Sequence, residues 1–560
     1  MSPWRGGRVN LFADLFHDLD SLTKTNDRID RLVQYFKEAP GEDSIWVCWF
    51  LSGNRIKGAI KTGELRSFLS ERAGLPLWLV EDCHHRVGDL AETVSLLVGE
   101  TVEGSGRGLD AFIRSRLLPL RQMDPEGRRS SLFESWDLLG AKEMLPFHKL
   151  LTGGFRMGMS KGNLCKALGH LAEVEPAVIA QRIAGDWSCD DTTFEHIVNP
   201  SDSEVELLRK PYPFCLATPL QDEVSTLGSV GDWQVEWKWD GIRAQLLSTG
   251  GGCGMLWSRG EEAIEESFPE ILACLPHLPG ELCLDGEILA WGHEGLRSFS
   301  RLQKRLGRKN PGPSILKKDG VRFQAYDLLR LEGEDLREFP MEERRKRLEE
   351  LFKKLPDCLP LGISPLVREP SWEELEERRK ESRNRGVEGF MLKRKNSRYE
   401  SGRVKGGWYK WKTDPYFADM VVVSAQLGHG KRANLYSDYS LAVWNDSGEL
   451  VTVAKAYSGL TNEELEEVDR FVRKNMRGKF GPVRGVLPEL VFEIAFEGAQ
   501  ASGRHKSGVA LRFPRIHRWR RDKKPKDADT LATIRGFAGI RSDLEMNQGG
   551  VDSDGNLLLF

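Results

Sequence analysis

The segment EWKWDGIRAQ, residues 236–245, alternates charged and aromatic residues before a glycine and an arginine. In a β-strand, side chains point alternately to the two faces, so Glu236, Lys238 and Asp240 would share one face. Trp237 and Trp239 would share the other. A cation would then lie between two carboxylates, which suits either a reactive site or an ordinary ion pair on a surface strand. The rest of the chain has to decide between these interpretations.

Charged residues also interrupt apolar, strand-like segments further along the chain. These segments are SRGEE (258–262), LDGEILAW (284–291), FQAYDLL (323–329), VEGFMLKR (387–394) and WYKWK (408–412). Charges inside apolar strands cost free energy unless a ligand or a counter-charge meets them. Together with residues 236–245, the segments supply the cations Lys238, Arg243, Arg259, Lys393, Lys410 and Lys412 and the carboxylates Asp240, Glu287 and Glu388. A polyphosphate with Mg²⁺ requires such a set, and strand alternation predicts that Lys410 and Lys412 share one face.

Composition indicates a soluble protein of several domains. The chain has 560 residues, 40% of them hydrophobic and 29% charged, and domains of roughly 100 to 200 residues predict about three or four of them. The longest apolar run, residues 44–51, is far too short to span a membrane. The N-terminal residues lack the pattern of a secretory signal. Nine cysteines without a CxxC pair argue against a disulfide framework or zinc ribbon and favour a reducing, cytoplasmic location.

Charge is distributed unevenly along the chain. The formal net charge is only −3, which gives no general argument for nucleic acid binding. Residues 504–526, RHKSGVALRFPRIHRWRRDKKPK, nevertheless contain ten Lys or Arg against one Asp. A local basic stripe of this kind is typical of a surface that follows phosphates, and it predicts a strongly salt-dependent affinity for DNA.

The pattern of elements changes twice, which predicts a multidomain α + (α+β) + β fold. Residues 1–205 show helical spacing, as in NDRIDRLVQYF, for which Asn26-Asp27 offers a cap. Residues 206–415 mix short strands with helices such as SWEELEERRKESRNRG, with Ser371 and Glu374 as a capping box and Gly386 as its end. Residues 416–540 show short strands and one helix, TNEELEEVDRFVRKN, as a small β-barrel would. Residues 541–560 form a tail with little periodicity.

Lys238-x-Asp240-Gly241-x-Arg243 resembles motif I of the covalent nucleotidyltransferases. Counting this segment, the six charged segments follow the order and spacing of motifs I, Ia, III, IIIa, IV and V of that superfamily. The stretch RFPRIHRWRRDK, residues 512–523, resembles motif VI of the ligases. Together with the helical region and LTGGFRMGMS at 151–160, the chain resembles ATP-dependent DNA ligases of the three-domain type found in archaea, eukaryotes and some bacteria. We expect a bacterial member.

The resemblance implies a domain for each part of the chain. Residues 1–205 would form a helical DNA-binding domain, residues 206–415 an adenylation (nucleotidyltransferase) domain with antiparallel sheets, and residues 416–540 an OB-fold β-barrel. The expected partner is nicked double-stranded DNA, bound by a monomer that would associate with the nucleoid if the protein is bacterial. The implied activity is phosphodiester formation in repair, replication or recombination.

The resemblance also implies the chemistry of Lys238. Its amine would attack the α-phosphorus of ATP to give lysyl-AMP, the AMP would move to the 5′-phosphate at a nick, and the 3′-hydroxyl would then expel it. A free lysine is a poor nucleophile, because only about one in a thousand is neutral near pH 7.4. Paired carboxylates would raise the pKa of Lys238 further, so Glu236 and Asp240 must be occupied elsewhere.

The remaining site residues take their roles from the same resemblance. The catalytic set is Lys238, Asp240, Lys410 and Lys412. In the nucleotide-binding set, Glu236 would contact the adenine edge and Tyr326 would stack on adenine. Arg243 and Glu287 would lie beside the ribose. Phosphates would be contacted by Arg259, Lys410 and Lys412, and Lys393 completes the set. The metal set, for Mg²⁺ or Mn²⁺, is Asp240, Glu287 and Glu388. Motif VI adds Arg512, Arg515, Arg518 and Lys523, which would reach the leaving pyrophosphate when the OB domain closes over ATP. Gly153, Gly154 and Arg156 would contact DNA.

Several alternatives stay open from the sequence. Tyr326 could be an ordinary core aromatic, and residues 151–160 a plain turn between helices. An RNA ligase or capping-type nucleotidyltransferase is disfavoured by the helical region before motif I and by the RFPR sequence. A catalytically silent nick-binding clamp is disfavoured because it would not need the nucleophile Lys238. An NAD⁺-using ligase is disfavoured because no four-cysteine zinc site follows the barrel.

Overall fold

The computed structural model describes residues 9–98, 108–153, 159–185, 187–199, 209–428, 435–480, 483–503 and 505–538. These residues belong to two compact units. The first consists of residues 1–59 and 101–413, and the second of residues 60–100 and 414–560. The predicted tail at 541–560 and the predicted DNA contacts Gly154 and Arg156 lie outside the described residues. Over the described ranges, no helix is both long enough and apolar enough to cross a membrane.

The N-terminal region is helical, as predicted. Its helices are α1 (Val9–Ser21), α2 (Thr25–Glu38), α3 (Gly41–Leu51), α4 (Thr62–Ala73), α5 (Leu77–Val87), α6 (Leu90–Leu97), α7 (Leu109–Phe112), α8 (Pro125–Leu138), α9 (Ala141–Thr152), α10 (Lys161–Ala172), α11 (Pro176–Arg182) and α12 (Phe194–Val198). Helices α4 to α6 belong to the second unit and the others to the first.

Helix α2 shows how the apolar spacing works and where the sequence prediction was wrong. Its buried side chains are Ile29, Leu32, Tyr35 and Phe36, which recur at helical spacing on one face. The predicted Asn26-Asp27 cap is wrong, because the helix begins one residue earlier at Thr25, with Lys24 in the N-cap position and no side-chain cap. Asp27 therefore lies in the first turn, where a carboxylate interacts favourably with the helix dipole.

The middle region of the first unit contains two sheets and several short helices. Its strands are β1 (Thr218–Pro219), β2 (Trp233–Trp237), β3 (Ile242–Gly250), β4 (Cys253–Ser258), β5 (Glu281–Gly292), β6 (Gly295–Leu296), β7 (Val321–Leu331), β8 (Glu334–Asp335), β9 (Leu361–Ile363), β10 (Gly389–Arg394) and β11 (Trp408–Lys412). Its helices are α13 (Pro269–Leu272), α14 (Phe299–Gln303), α15 (Pro313–Lys318), α16 (Met341–Phe352) and α17 (Trp372–Lys380). Ser371 caps α17 as predicted. The predicted end of the helix at Gly386 was wrong, because the helix ends at Lys380 and Gly386, at φ +70°, lies in the turn that follows.

The smaller sheet has the strand order β1-β11-β10-β2, antiparallel except for the parallel pairing of β1 with β11. One face is apolar: Trp237, Phe390 and Leu392 pack there with Trp372 of α17. Trp239, just after β2, packs partly against the same cluster, which confirms the predicted shared face of the two tryptophans. The opposite face therefore holds Glu236 of β2, Lys393 of β10, and Lys410 and Lys412 of β11.

The larger sheet has the order β4-β3-β5-β7-β8, with β6 paired to β5 and β9 to β7. Its apolar face forms the main core of this region, with Leu246, Leu284 and Phe323 among the fully buried side chains. By alternation, Arg243 and Glu287 lie on the other face, and register places them directly opposite each other on β3 and β5. Arg243 of this face also reaches Trp408 of the smaller sheet, with 5.8 Å between the guanidinium and the ring. The polar faces of the two sheets thus line a common cleft.

The second unit is rich in strands, as predicted. They are β12 (Tyr416–Leu427), β13 (Tyr436–Trp444), β14 (Leu450–Ala456), β15 (Met476–Phe480), β16 (Val483–Val486), β17 (Val491–Phe496), β18 (Gly498–Ala501), β19 (Val509–Arg512) and β20 (Arg515–Trp519). The predicted helix is confirmed as α18 (Asn462–Lys474), with a capping box formed by Thr461 and Glu464. The expectation of a single helix in this part was wrong, because α19 (Leu531–Phe537) follows the strands and buries Leu531 and Ile534.

Candidate active site

Lys238 lies where β2 enters the cleft. The strand pairing continues one residue past β2, because the N–H of Lys238 donates to the carbonyl of Gly389 and the N–H of Glu388 donates to the carbonyl of Lys238, both at 2.8 Å. The Lys238 Nζ also donates to Glu388 Oε2 at 2.5 Å, and both side chains are mostly buried. The alternation of charged and aromatic residues in EWKWD suggested that Lys238 lies between Glu236 and Asp240. The structure instead pairs Lys238 with a carboxylate 150 residues away.

Glu236 is held by a buried ion pair of its own. Lys393 Nζ donates to Glu236 Oε1 at 2.8 Å, with only 1% of the lysine and 2% of the glutamate side chain exposed. Gln234 Nε2 donates to the same carboxylate oxygen at 2.7 Å. Glu236 is therefore occupied away from Lys238, as the chemistry of a lysine nucleophile requires. Asp240 follows in the partly exposed loop between β2 and β3.

Lys410 and Lys412 share the charged face of β11, as predicted. Strand register places Lys410 beside Met391 and Lys412 beside Gly389 of β10. Lys412 Nζ lies 3.7 Å from Glu388 Oε2. Burial lowers the pKa of Lys410, and the nearby cations, above all Lys412 and Lys238, lower it further while Glu388 opposes them. Several ammonium groups thus surround one carboxylate, an arrangement that favours a polyanionic ligand.

Arg243 is fixed by a network that the sequence prediction did not include. Its guanidinium makes a two-pronged contact with Asp285, at 3.1 Å from Nε to Oδ1 and 2.7 Å from Nη2 to Oδ2, and its Nη1 donates to the carbonyl of Cys215 at 2.5 Å. The hydroxyl of Tyr399 donates to Asp285 Oδ2 at 2.7 Å. Burial disfavours the charged guanidinium, but Asp285 and the neighbouring tyrosines outweigh it, so the pKa of Arg243 stands above its ordinary value.

Tyr326 lies on β7 at the floor of the cleft and is buried. Lys393 Nζ lies 4.3 Å from the centre of its ring and donates to its backbone carbonyl at 3.3 Å. The Arg243 guanidinium lies 5.7 Å from the same ring. The aromatic ring is thus in the charged cleft rather than in the apolar core on the opposite face of the sheet.

Glu287 is a carboxyl of the cleft whose pKa is strongly perturbed. Burial raises its pKa from 4.5 to about 8, with Asp285 and Glu388 adding to the rise and Lys238 and Arg243 opposing it. The side chain still keeps some exposed surface. Near neutral pH this carboxyl is mostly protonated, so it can donate a hydrogen bond until a cation favours its ionised form.

Two glycines allow the backbone to pass close to these side chains. A Cβ on Gly241 would lie 2.4 Å from the carbonyl oxygen of Ile288 and 2.7 Å from Cγ of Glu287. Gly389 has φ +124°, and its Cβ would lie 2.2 Å from the carbonyl oxygen of Trp411. Side chains at these positions would push β3 or β10 out of place, so the glycines maintain the geometry around Lys238 and Glu287.

The predicted metal residues do not form a ready-made cage. In the described part of the chain, no three His, Cys, Asp or Glu side chains converge closely enough to hold a metal ion. The donor chemistry of Asp240, Glu287 and Glu388 nevertheless suits a hard cation. Mg²⁺ usually takes one or two carboxylates and completes its shell with water and substrate phosphates, so the carboxylates of this cleft fit the ion without a cage.

The other predicted residues lie outside this cluster. Arg259 is exposed in the turn after β4, and its N–H donates to the carbonyl of Arg243 at 2.9 Å. Gly153 ends α9 in the left-handed conformation at φ +70°. The motif VI residues Arg512, Arg515, Arg518 and Lys523 belong to the second unit.

Two of these motif VI cations are already paired within their own unit. Arg518 makes a two-pronged contact with Glu493, both bonds at 2.9 Å, and Lys523 Nζ donates to Asp419 Oδ2 at 2.5 Å. Arg515 is exposed at the start of β20. A phosphate ligand would compete with the carboxylates for Arg518 and Lys523.

Models of known families match three consecutive parts of the chain. They are the DNA ligase N terminus at residues 8–169, the ATP dependent DNA ligase domain at 215–412 and the ATP dependent DNA ligase C terminal region at 432–523. A probable DNA ligase of Koribacter versatilis is 36% identical over 412 residues, which cover 68% of this chain and 70% of that protein. The chain belongs to the ATP-dependent DNA ligase family. This ligase therefore has the three-part architecture of its family, with a helical N-terminal region followed by two sheet-rich parts.

Further relatives extend this result over the chain. A DNA ligase of Natronomonas pharaonis is 32% identical over 463 residues, which cover 80% of this ligase and 83% of the relative. The solved structure of Pmar-Lig_PreS3 superposes with a TM-score of 0.62 at 16% identity, covering 91% of this ligase and 99% of that chain. At such low identity the structural likeness shows a shared fold.

Proposed function

We propose that this ligase seals nicks in duplex DNA through a covalent lysyl-AMP formed on Lys238. The observation that supports this most directly is the position of the Lys238 amine. It lies 2.5 Å from Glu388 and in the field of Lys410 and Lys412, within the part of the chain that matches the ATP dependent DNA ligase domain. A lysine at an apolar strand end, next to further cations, suits an amine that reacts or binds a polyanionic ligand.

In the first step, the Lys238 amine attacks the α-phosphorus of ATP. A P–N bond forms, the bond to the leaving pyrophosphate breaks, and the ammonium must already have lost a proton. In this structure the Lys238 ammonium donates to Glu388, and Lys412 Nζ lies 3.7 Å from the same carboxylate. Attack therefore requires the hydrogen bond from Lys238 to Glu388 to break.

Nucleotide binding would use the walls of the cleft. Tyr326 offers a ring for stacking on adenine and Glu236 offers a carboxylate at the adenine edge, while Lys393 holds both in place. Arg243 and Glu287 face the ribose, and Arg259, Lys410 and Lys412 bind phosphates. Mg²⁺ or Mn²⁺, when held by Glu388 with Asp240 or Glu287, would neutralise charge on the phosphates.

The later steps take place on DNA. AMP passes from Lys238 to the 5′-phosphate at the nick, and the 3′-hydroxyl then forms the phosphodiester bond and releases AMP. Both displacements depend mainly on positioning and charge stabilisation. We assign residues 1–205 to DNA binding, with Gly153, Gly154 and Arg156 at the duplex, and residues 206–415 to adenylation.

We assign residues 416–540 to an OB-fold. Its motif VI cations Arg512, Arg515, Arg518 and Lys523 would bind the pyrophosphate during the first step. The Arg518 side chain is 59% exposed in its pair with Glu493, so solvent screens the attraction and a phosphate can compete with the carboxylate.

A nick-sealing assay tests the proposal. The substrate is a duplex with one nick, a 5′-phosphate and a fluorescent strand, and the ligase is supplied with Mg²⁺ and ATP, GTP or NAD⁺ in parallel reactions. We expect the sealed strand with ATP alone, and no sealing by Lys238→Ala. Sealing with GTP would move the assignment towards a capping-type enzyme, and nick binding without sealing by any nucleotide would favour a silent clamp.

A further inference from the structure

Gln234 is a buried polar residue of the cleft to which the proposed function gives no role. It lies two residues before Glu236 on β2, so the two side chains share the charged face of the strand. Only 5% of Gln234 is exposed. Its Nε2 donates to Glu236 Oε1 at 2.7 Å. A buried amide is therefore used to hold one oxygen of a buried carboxylate.

A second donor reaches the same oxygen from the neighbouring strand. Register places Lys393 of β10 directly opposite Gln234, and from there its Nζ donates diagonally to Glu236 Oε1 at 2.8 Å. Over the described ranges of the chain, no hydrogen bond reaches the other oxygen, Oε2, of Glu236. Two donors thus fix the carboxylate through Oε1, and Oε2 keeps its capacity to accept from a ligand.

Lys393 also relates this carboxylate to the aromatic floor of the cleft. Its Nζ lies 4.3 Å from the centre of the Tyr326 ring and donates to the Tyr326 carbonyl at 3.3 Å. The ring and the Glu236 carboxylate therefore contact the same ammonium group. A purine stacked on Tyr326 would present one of its edges to Glu236.

A carboxylate by itself does not distinguish the two classes of purine. It is an acceptor when ionised, so it pairs with the 6-amino group of adenine. A 6-oxopurine carries an acceptor at position 6, but the adjacent N1–H is a donor that a carboxylate accepts equally well. Discrimination therefore requires a carboxylate that cannot shift from position 6 to N1. Held in place, it leaves a 6-oxo group facing another acceptor, which is unfavourable in a buried site.

We propose that Gln234 is a positioning residue that holds Glu236 Oε2 at the 6-amino group of a purine, and so sets the selectivity of this ligase for 6-aminopurine over 6-oxopurine triphosphates. The inference rests on the proposed function, in which Glu236 lies at the adenine edge. Gln234 acts through Glu236 and does not itself touch the nucleotide.

The proposal predicts a definite sign for the loss of Gln234. Without its hydrogen bond, Glu236 is held by Lys393 alone, and the last side-chain torsion of a glutamate is soft. The carboxylate can then turn towards the N1–H of a 6-oxopurine, so selectivity falls. If Gln234 only competed for the lone pairs of Glu236, its removal would strengthen the acceptor and raise selectivity instead.

The test compares ATP with ITP, which differs from ATP only in its 6-oxo group and the proton on N1. Formation of the covalent lysyl nucleotide is measured without DNA, using either nucleotide labelled on the α-phosphate, to give kcat/KM for each. The variant is Gln234→Met, which keeps the length of the side chain and removes the donor. The control is Gln324→Met on β7, since Gln324 is also buried, at 6% exposure, and donates to the carbonyl of Ile363 at 2.6 Å.

We expect the wild type to favour ATP over ITP by about a hundredfold or more. Gln234→Met should lower this ratio by about tenfold, mainly through a lower kcat/KM for ATP, as loss of a hydrogen bond to a charged group would. Gln324→Met should leave the ratio within about twofold of wild type. Gln234→Asn, which withdraws the amide by one methylene, should lower the ratio too, so the test does not depend on the folding of one variant.

Each contrary outcome has its own meaning. A ratio for Gln234→Met at or above the wild-type value would overturn the inference, and an equal loss with both nucleotides would show a structural role without selectivity. The same fall in ratio for Gln324→Met would show that any buried glutamine of the cleft has this effect. A wild type labelled equally by ATP and ITP would overturn the inference alone, whereas a wild type labelled by neither would overturn the proposed function.

Discussion

The raised pKa of Glu287 predicts how the stability of the protein changes with pH. The perturbation is Glu287→Gln, which keeps the shape of the side chain but removes its ionisation. In the folded protein burial raises the pKa of this carboxyl from 4.5 to about 8, whereas the unfolded chain ionises near the ordinary value. Between these two pKa values the folded protein keeps a proton that the unfolded chain releases, so the free energy of unfolding falls as the pH rises. The stability that comes with a protonated Glu287 is therefore fully present below pH 4.5 and is lost as the pH rises through about 8.

The magnitude follows from the size of the shift. A rise from 4.5 to about 8 corresponds to about 5 kcal/mol if the site were fully shielded. Because Glu287 keeps some exposed surface, we expect roughly 2 kcal/mol of this penalty to build up in the wild type between about pH 5 and pH 8.5. Glu287→Gln carries no such penalty, so its stability advantage should grow across that range.

Thermal unfolding of the full chain is the assay. Because the unfolding entropy grows with chain length, a unit of residues 1–59 and 101–413 should shift by only about 1 to 1.5 °C per kcal/mol. The variant should therefore exceed the wild type by about 2 to 3 °C near pH 8.5 and by much less near pH 5. Glu294→Gln, in the exposed turn where β5 ends, is the control and should behave as the wild type does. A difference between Glu287→Gln and wild type that stays constant with pH would refute this account of the carboxyl.

Four further results are expected. Lys393→Met should destabilise the protein by roughly 3 to 5 kcal/mol, because it leaves Glu236 charged and buried, and adding Glu236→Met should recover most of the loss in thermal unfolding. Tyr399→Phe should lower kcat/KM for adenylation by about tenfold, because it removes a 2.7 Å hydrogen bond to Asp285; wild-type kinetics would contradict a role for the network. Gly241→Ala should slow adenylation by tenfold or more, because its Cβ would lie 2.4 Å from a carbonyl oxygen of the neighbouring strand. DNA affinity measured by anisotropy should fall steeply between low and moderate salt, and a flat response would contradict the basic surface.

Strand alternation was enough to predict which residues share a face. It correctly separated Trp237 from Lys238, and it correctly put Lys410 and Lys412 together on β11, because side chains on a strand alternate whatever the neighbouring strands are. Helical spacing was equally effective for α2. These features depend on local sequence alone.

The partners of the charged residues could not be predicted in the same way. Lys238 binds Glu388 and Glu236 binds Lys393, pairs separated by 150 and 157 residues. Both pairs depend on the register of β2 against β10, which the sequence of either strand does not reveal. The first residue of α2 was misplaced for a related reason, since helix ends depend on the preceding turn.

The network around Arg243 contains one residue that the sequence could have indicated and one that it could not. Asp285 was readable in principle, because it stands two residues before Glu287 in LDGE and must share its strand face. Tyr399 gave no such signal, since it lies outside any regular strand and meets Asp285 only through the packing of the two sheets. Local pattern therefore identifies the candidate residues, and tertiary packing decides which of them are held in place.

The most direct test of the central claim is covalent labelling of the protein. The wild type and Lys238→Ala are incubated with Mg²⁺ and α-phosphate-labelled ATP, denatured, and digested so that the labelled peptide can be identified by mass spectrometry. We expect one AMP on Lys238 in the wild type, and no label in the variant. AMP on another lysine, or no covalent label on a correctly folded protein, would contradict the account of this cleft as the adenylation site.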